Sequence, residues 1–176
     1  MRNREITKTI EEGGLPVLPF EVEVAKSAMA KLARKQQQLG EALGEAMSQS
    51  SETWHDNAPA EAVSHASLVL SESAKPVQRI LGEGVTFEYS DEVDVVTLGS
   101  VVTARFDNSQ EAIRYLITGA TRELPESIGQ FSDKVSVVTL SSPIGKAMFN
   151  AKVGDTVEFK VGKRKRAVII DGINML

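Results

Sequence analysis

The chain has 176 residues, 41% of them hydrophobic and 25% charged, with a formal net charge of -4 and no cysteine. This is the composition of a folded protein of one ordinary domain or two small ones, and it excludes disulfide staples, thiolate nucleophiles and cysteine-type zinc sites. An aromatic content of 5% and the negative balance argue against a base-stacking platform and against a surface that grips phosphate unaided, so any basic contact is local.

The N-terminal stretch MRNREITKTIEEGG is charged and has no apolar centre, unlike a secretory signal. No later apolar run approaches the roughly 20 residues that span a membrane, so the expected location is the cytoplasm, with no membrane partner. From Val22 onward, apolar residues recur at Val22, Ala25, Met29, Leu32, Leu39, Leu43 and Ala46, a three-four spacing interrupted once at Gln36. Val63, Ala66, Leu70, Val77 and Ile80 repeat the pattern, interrupted at Ser73.

Two matched seams predict an antiparallel coiled-coil hairpin over residues 1–83, with its tip at about 51–58. A first helix from about Phe20 to Ser50 is ~45 Å long, more than a compact core needs, so the hairpin is expected to protrude. Reversal near Trp54 and His55 brings Gln36 opposite Ser73, where the two polar interruptions can pair and set register. Pro76 removes one backbone hydrogen bond from the second seam, so that arm is expected to be bent or shorter.

After Gly82 the period changes. The runs VDVVTL, SVVTARF, AIRYLITG, KVSVVTL, DTVEFKV and KRAVIIDGI, separated by Gly, Asn, Asp and Pro, read as strands. SPIGKAMFNAKVGD reads as a short helix instead, with Ser142 as N-cap and Pro143 at the first helical position. The sequence therefore predicts an α+β protein, with a helical hairpin followed by a sheet domain over residues 84–176.

Three stretches carry a resemblance to a known family: VTLGSVVTARF, EAIRYLITGATRELPESIGQFS and SSPIGKAMFNAKVGDTVEFKVGKRKRAVIIDGI. The second half resembles the C-terminal domain of Gre-type (GreA/GreB) bacterial transcription elongation factors. The most specific part is Ser142-Pro143-Ile144-Gly145-Lys146-Ala147 followed by Lys152-Val153-Gly154-Asp155-Thr156-Val157. The resemblance implies an FKBP-like fold for the second half and RNA polymerase as partner. Docking is implied at Ser142, Pro143, Ile144, Gly145 and Lys146, with the hairpin entering the polymerase's secondary channel. It further implies no enzyme activity of the chain alone, a monomeric state, and only indirect contact with nascent RNA.

In the family, the hairpin tip holds two acids that help to bind the second catalytic magnesium of the polymerase for two-metal hydrolysis of backtracked RNA. Aligned on Asn57 and Ala58, Asp56 falls at the second acid and Thr53 at the first. Glu52, one residue from that position, shares a face with Asp56 if the first helix continues. The resemblance thus implies Asp56, with Glu52, as the carboxylates toward magnesium. The Thr53 departure leaves a non-cleaving channel regulator as the alternative, and local sequence alone favours a helix cap at Asp56, which the resemblance brings level with the metal-holding role.

Trp54 reads either as a lid on the apolar seam or as an apolar contact with the partner. His55 and His65 lack neighbours at ligand spacing. Lys163–Arg166 reads as a solvated hairpin turn, with a nucleic-acid patch as the minority view. The strip Lys31, Arg34 and Lys35 reads either as an ordinary charged face of a helix or as a contact with RNA or acidic channel walls. A prolyl isomerase is the least favoured reading, because the aromatic residues of the second half are spread along strands.

Overall fold

In the computed structural model, which describes residues 2–49, 58–90, 94–107, 109–125, 128 and 135–176, the β-branched runs of the second half become a five-stranded sheet. Its strands are β3 (Ser100–Phe106), β4 (Ala112–Thr118), β5 (Ser136–Thr139), β6 (Thr156–Val161) and β7 (Arg164–Met175), in the spatial order β5-β4-β3-β7-β6. All neighbours are antiparallel except β4 and β5. Alternation sends Val102 and Ala104, Tyr115 and Ile117, and Val168 and Ile170 to one buried face, where Met148 of the short helix α4 (Pro143–Met148) joins them.

The run VDVVTL is a correction to the expected strands. Residues 94–95 bend, 96–97 join no strand and 98–99 turn, while Val93 lies outside the described residues. Val96 and Leu98 are nonetheless fully buried, and the Val96 N–H and carbonyl bond the backbone of Ala151 and Asn150 rather than a strand. A short apolar run reports burial, and what pairs with its backbone is decided by residues far away in sequence.

The charged N-terminus, for which the sequence offered no element, is also structured. Arg2–Glu11 forms a helix, α1, with Ile6 completely buried in the sheet core. Asn3 Nδ2 holds it in place, donating to the Val96 carbonyl at 3.1 Å and to Asn150 Oδ1 at 2.7 Å. Leu15–Val17 (β1) then pairs in parallel with Gly84–Thr86 (β2). As a result the expected division at residue 83 is corrected: residues 1–24 and 83–176 make one compact unit and residues 25–82 the other. The physical reason is burial. Leu18 and Phe20 join Ile6 in the core, and removing each such side chain from water is worth about 1.5–3 kcal/mol.

The other unit is helical. It holds most of α2 (Pro19–Gln49) and α3 (Ala58–Glu83). The seam residues Met29, Leu32, Leu39 and Leu43 of α2 are half-buried, as are Val63, Ala66, Leu70 and Val77 of α3. The expected Gln36–Ser73 pair does not form. Gln36 and Ser73 are exposed, and the Ser73 hydroxyl donates to the Val69 carbonyl of its own helix at 2.8 Å. Ser67 and Ala74 take the half-buried positions instead, because a straight helix turns 3.6 residues at a time and drifts off a strict heptad. α3 runs through Pro76 without ending.

Where the sheet unit begins, one side chain joins distant backbone segments. Pro19 and Glu21 sit at the first and third helical positions of α2, and Glu21 Oε2 accepts the Leu18 N–H at 2.8 Å, as a third-position Glu does in a capping box. The same carboxylate accepts the N–H groups of Gly119 at 2.9 Å, Ala120 at 2.8 Å and Thr121 at 2.9 Å, and its residue is fully buried. A Cβ on Gly119 would lie 1.8 Å from the Pro16 carbonyl oxygen, so only glycine lets the loop approach β1 this closely. Replacing Glu21 by Ala strands four N–H donors, and we expect a loss of about 3 kcal/mol or more in urea unfolding, with Glu21→Gln intermediate.

Burial raises Tyr115 above the ordinary tyrosine value of 10.0, and burial followed by Glu21, Glu23 and Glu88 raises Tyr89. The folded state therefore holds these protons more tightly than the unfolded chain. That contribution is complete below a pH of about 10 and is lost as pH rises through the higher folded values. Tyr115→Phe should flatten the alkaline decline of thermal stability.

Candidate functional site

The Ser142–Lys146 run opens α4. Ser142 has extended backbone angles, φ -73 and ψ 153, and its Oγ accepts the Gly145 N–H at 3.1 Å, satisfying one of the donors that a helix start leaves free. The same hydroxyl donates to the Thr139 carbonyl at 2.7 Å, which ties the cap to the end of β5. Pro143, which has no N–H to satisfy, takes the first helical position. Gly145 is buried under that strand end: a Cβ there would meet the Thr139 carbonyl oxygen at 2.1 Å.

These contacts sort the five residues. Ser142 and Gly145 are used by the backbone, and Ile144 packs against the sheet core. Pro143 and Lys146 are exposed and free to meet a partner. Beyond the helix, Asn150 adopts φ 70 and sends its N–H to the Val96 carbonyl. The Lys152–Asp155 turn closes when Asp155 Oδ2 accepts the Lys152 N–H at 2.8 Å, leaving Val153 56% exposed at its crest. Ser-Pro-x-Gly and Lys-x-Gly-Asp are thus specific patterns because each has a backbone job.

The tip residues Glu52, Thr53, Trp54, His55 and Asp56 lie outside the described residues. Among the described residues, no group of three or more His, Asp and Glu is arranged to hold a metal ion, and no helix is long and apolar enough to cross a membrane. Sequence reading missed Glu21 and the φ of Asn150. A signal for the first was available in Leu18-Pro19-Phe20-Glu21, with Pro at the first position and Glu at the third.

The geometry around α4 is that of a small sheet domain whose identifying residues surround one short helix. Residues 90–174 match the family model "Transcription elongation factor, GreA/GreB, C-term". The transcription elongation factor GreA of Alkaliphilus oremlandii (strain OhILAs) is 26% identical over 162 residues, covering 92% of this chain and 91% of that protein. GreA of Thermotoga neapolitana is 33% identical over 100 residues, 56% of this chain and 58% of its own length. Among solved structures, GreA factor homolog 1 of Thermus thermophilus is similar at 21% identity and a TM-score of 0.41, with 92% of this chain and 99% of that chain covered. Residues 90–174 are therefore similar to a GreA/GreB C-terminal domain. The chain is thus similar to GreA-type transcription elongation factors, through its second half by the family model and over most of its length to one relative.

Substitution separates the two kinds of residue in the run. Ser142→Ala should cost about 1 kcal/mol for the lost cap, and Gly145→Ala more, through its clash with Thr139. Lys146→Ala should stay within about 0.5 kcal/mol of the parent in denaturant melts.

Proposed function

We propose that this chain is an accessory factor of RNA polymerase that stimulates cleavage of backtracked RNA, and that it is not an enzyme by itself. The observation that carries the reading is the match of residues 90–174 to the GreA/GreB C-terminal domain. In this reading the sheet unit docks on the polymerase through the exposed Pro143 and Lys146, held in place by the Ser142 cap and the close packing of Gly145. The hairpin enters the secondary channel and brings Asp56, with Glu52, to the active centre, where Trp54 makes an apolar contact. The protein acts as a cytoplasmic monomer, and it reaches the scissile bond of the RNA through the polymerase.

Asp56 and Glu52 would hold magnesium jointly with the polymerase, as carboxylates suit an ion that keeps several waters. The bound ion supplies an activated water and charge stabilisation for phosphodiester hydrolysis. Thr53, where the family has its first acid, favours a second reading with the same docking: a channel-occupying regulator that does not cleave. A backtracked polymerase complex incubated with the protein should release short RNA, and Asp56→Asn should abolish the release while polymerase binding persists. Release unchanged by the substitution sinks the role of Asp56; binding without any release, at several magnesium concentrations, selects the second reading. Lys146→Glu should weaken polymerase binding with the melting temperature unmoved.

A further inference from the structure

The hairpin of β6 and β7 gathers Lys160, Lys163, Arg164, Lys165 and Arg166 around the turn at Gly162, in a chain whose net charge is negative. Among the described residues none of the five is in an ion pair. Lys160 and Lys165 are direct cross-strand partners, an arrangement that disfavours the folded hairpin by like-charge repulsion. Glu158, diagonal to Lys165 across the same two strands, makes no ion pair with it, and a local rule broken in this way is a mark of function.

Arg166 differs from the other four. Its guanidinium lies 5.5 Å from the centroid of Phe106, whose ring is 6.5 Å from that of Phe159, its cross-strand partner. The ring contact gives a flat cationic group a preferred orientation, while the residue itself remains exposed. Beside it is an open cleft of about 650 Å³ lined by Phe106, Asp107, Glu158, Arg164, Lys165 and Arg166.

We infer that this cleft is a binding site for single-stranded nucleic acid. Phosphates meet the lysines and Arg164 at the hairpin, one base stacks on the Arg166 plane, and base amino groups reach the acceptors Asp107 and Glu158. An acidic peptide fits less well, because its carboxylates would be brought against those same two acids. The inference is independent of the reading in which the chain acts on polymerase.

Fluorescence anisotropy of labelled oligocytidylate and oligodeoxycytidylate, each about twelve nucleotides and differing only in the sugar, tests it on the full chain at low salt. Binding is expected with a log-log salt slope of about -3, from four phosphate contacts. Tighter binding of one oligonucleotide identifies the natural sugar. Lys165→Glu replaces a repulsive cross-strand pair by an attractive one, so it should abolish binding with an unchanged or higher melting temperature. Arg166→Lys keeps the charge and loses the plane, and should weaken binding about tenfold with the slope unchanged. No binding of either oligonucleotide would make the lysines mere protection of the β6 edge and overturn the inference. Displacement by polyglutamate at equal charge, or full affinity in Lys165→Glu, would also overturn it.

Discussion

The Glu21 carboxylate accepts backbone N–H groups from the start of its own helix and from a loop about 100 residues further along the chain. A buried carboxylate is costly unless its lone pairs are filled, and here four N–H groups at 2.8–2.9 Å fill them. The arrangement also serves the donors. Gly119, Ala120 and Thr121 follow directly after β4, and without the carboxylate their N–H groups would have no acceptor in that buried position. The close approach of Gly119 to Pro16 and the parallel pairing of β1 with β2 lie around the same point. Residues 1–24 therefore belong with the sheet rather than with the helices that follow.

That tie affects how the helical unit is built into the chain. β1 precedes it and β2 follows it, paired side by side, so residues 25–82 form an insertion whose two ends are fixed together. The seam within the insertion is modest. Its residues are mostly half-buried, and Ala33, Ser67, Ser71 and Ala74 help to line an open groove of about 310 Å³ between the helices. Small side chains there bury little area, and among the described residues of this unit only Ala25 and Ile80 are buried apolar positions.

Around α4 the division of labour is finer. Residues that make the sequence recognisable, Ser142 and Gly145, are those that the backbone consumes, while Pro143 and Lys146 are left exposed. A motif can therefore mark a surface without itself being that surface. The β6–β7 hairpin has the opposite character: its lysines and arginines satisfy no backbone need, and Lys160 facing Lys165 acts against the fold.

The sequence by itself determined the two periods, and with them a helical segment followed by a sheet, because side-chain spacing at 3.6 and 2 residues follows from backbone geometry alone. It also determined the cap at Ser142, since capping needs only residues a few positions apart. Only the tertiary structure decided that Ile6 is core, that VDVVTL is no strand, that Ser73 turns outward and that Glu21 serves four amides. Each of those outcomes depends on which distant groups meet, and the local pattern holds no record of that. The contact of Arg166 with Phe106 is of the same kind: the two residues are 60 positions apart in the chain and face each other only because β3 and β7 are neighbouring strands in one sheet.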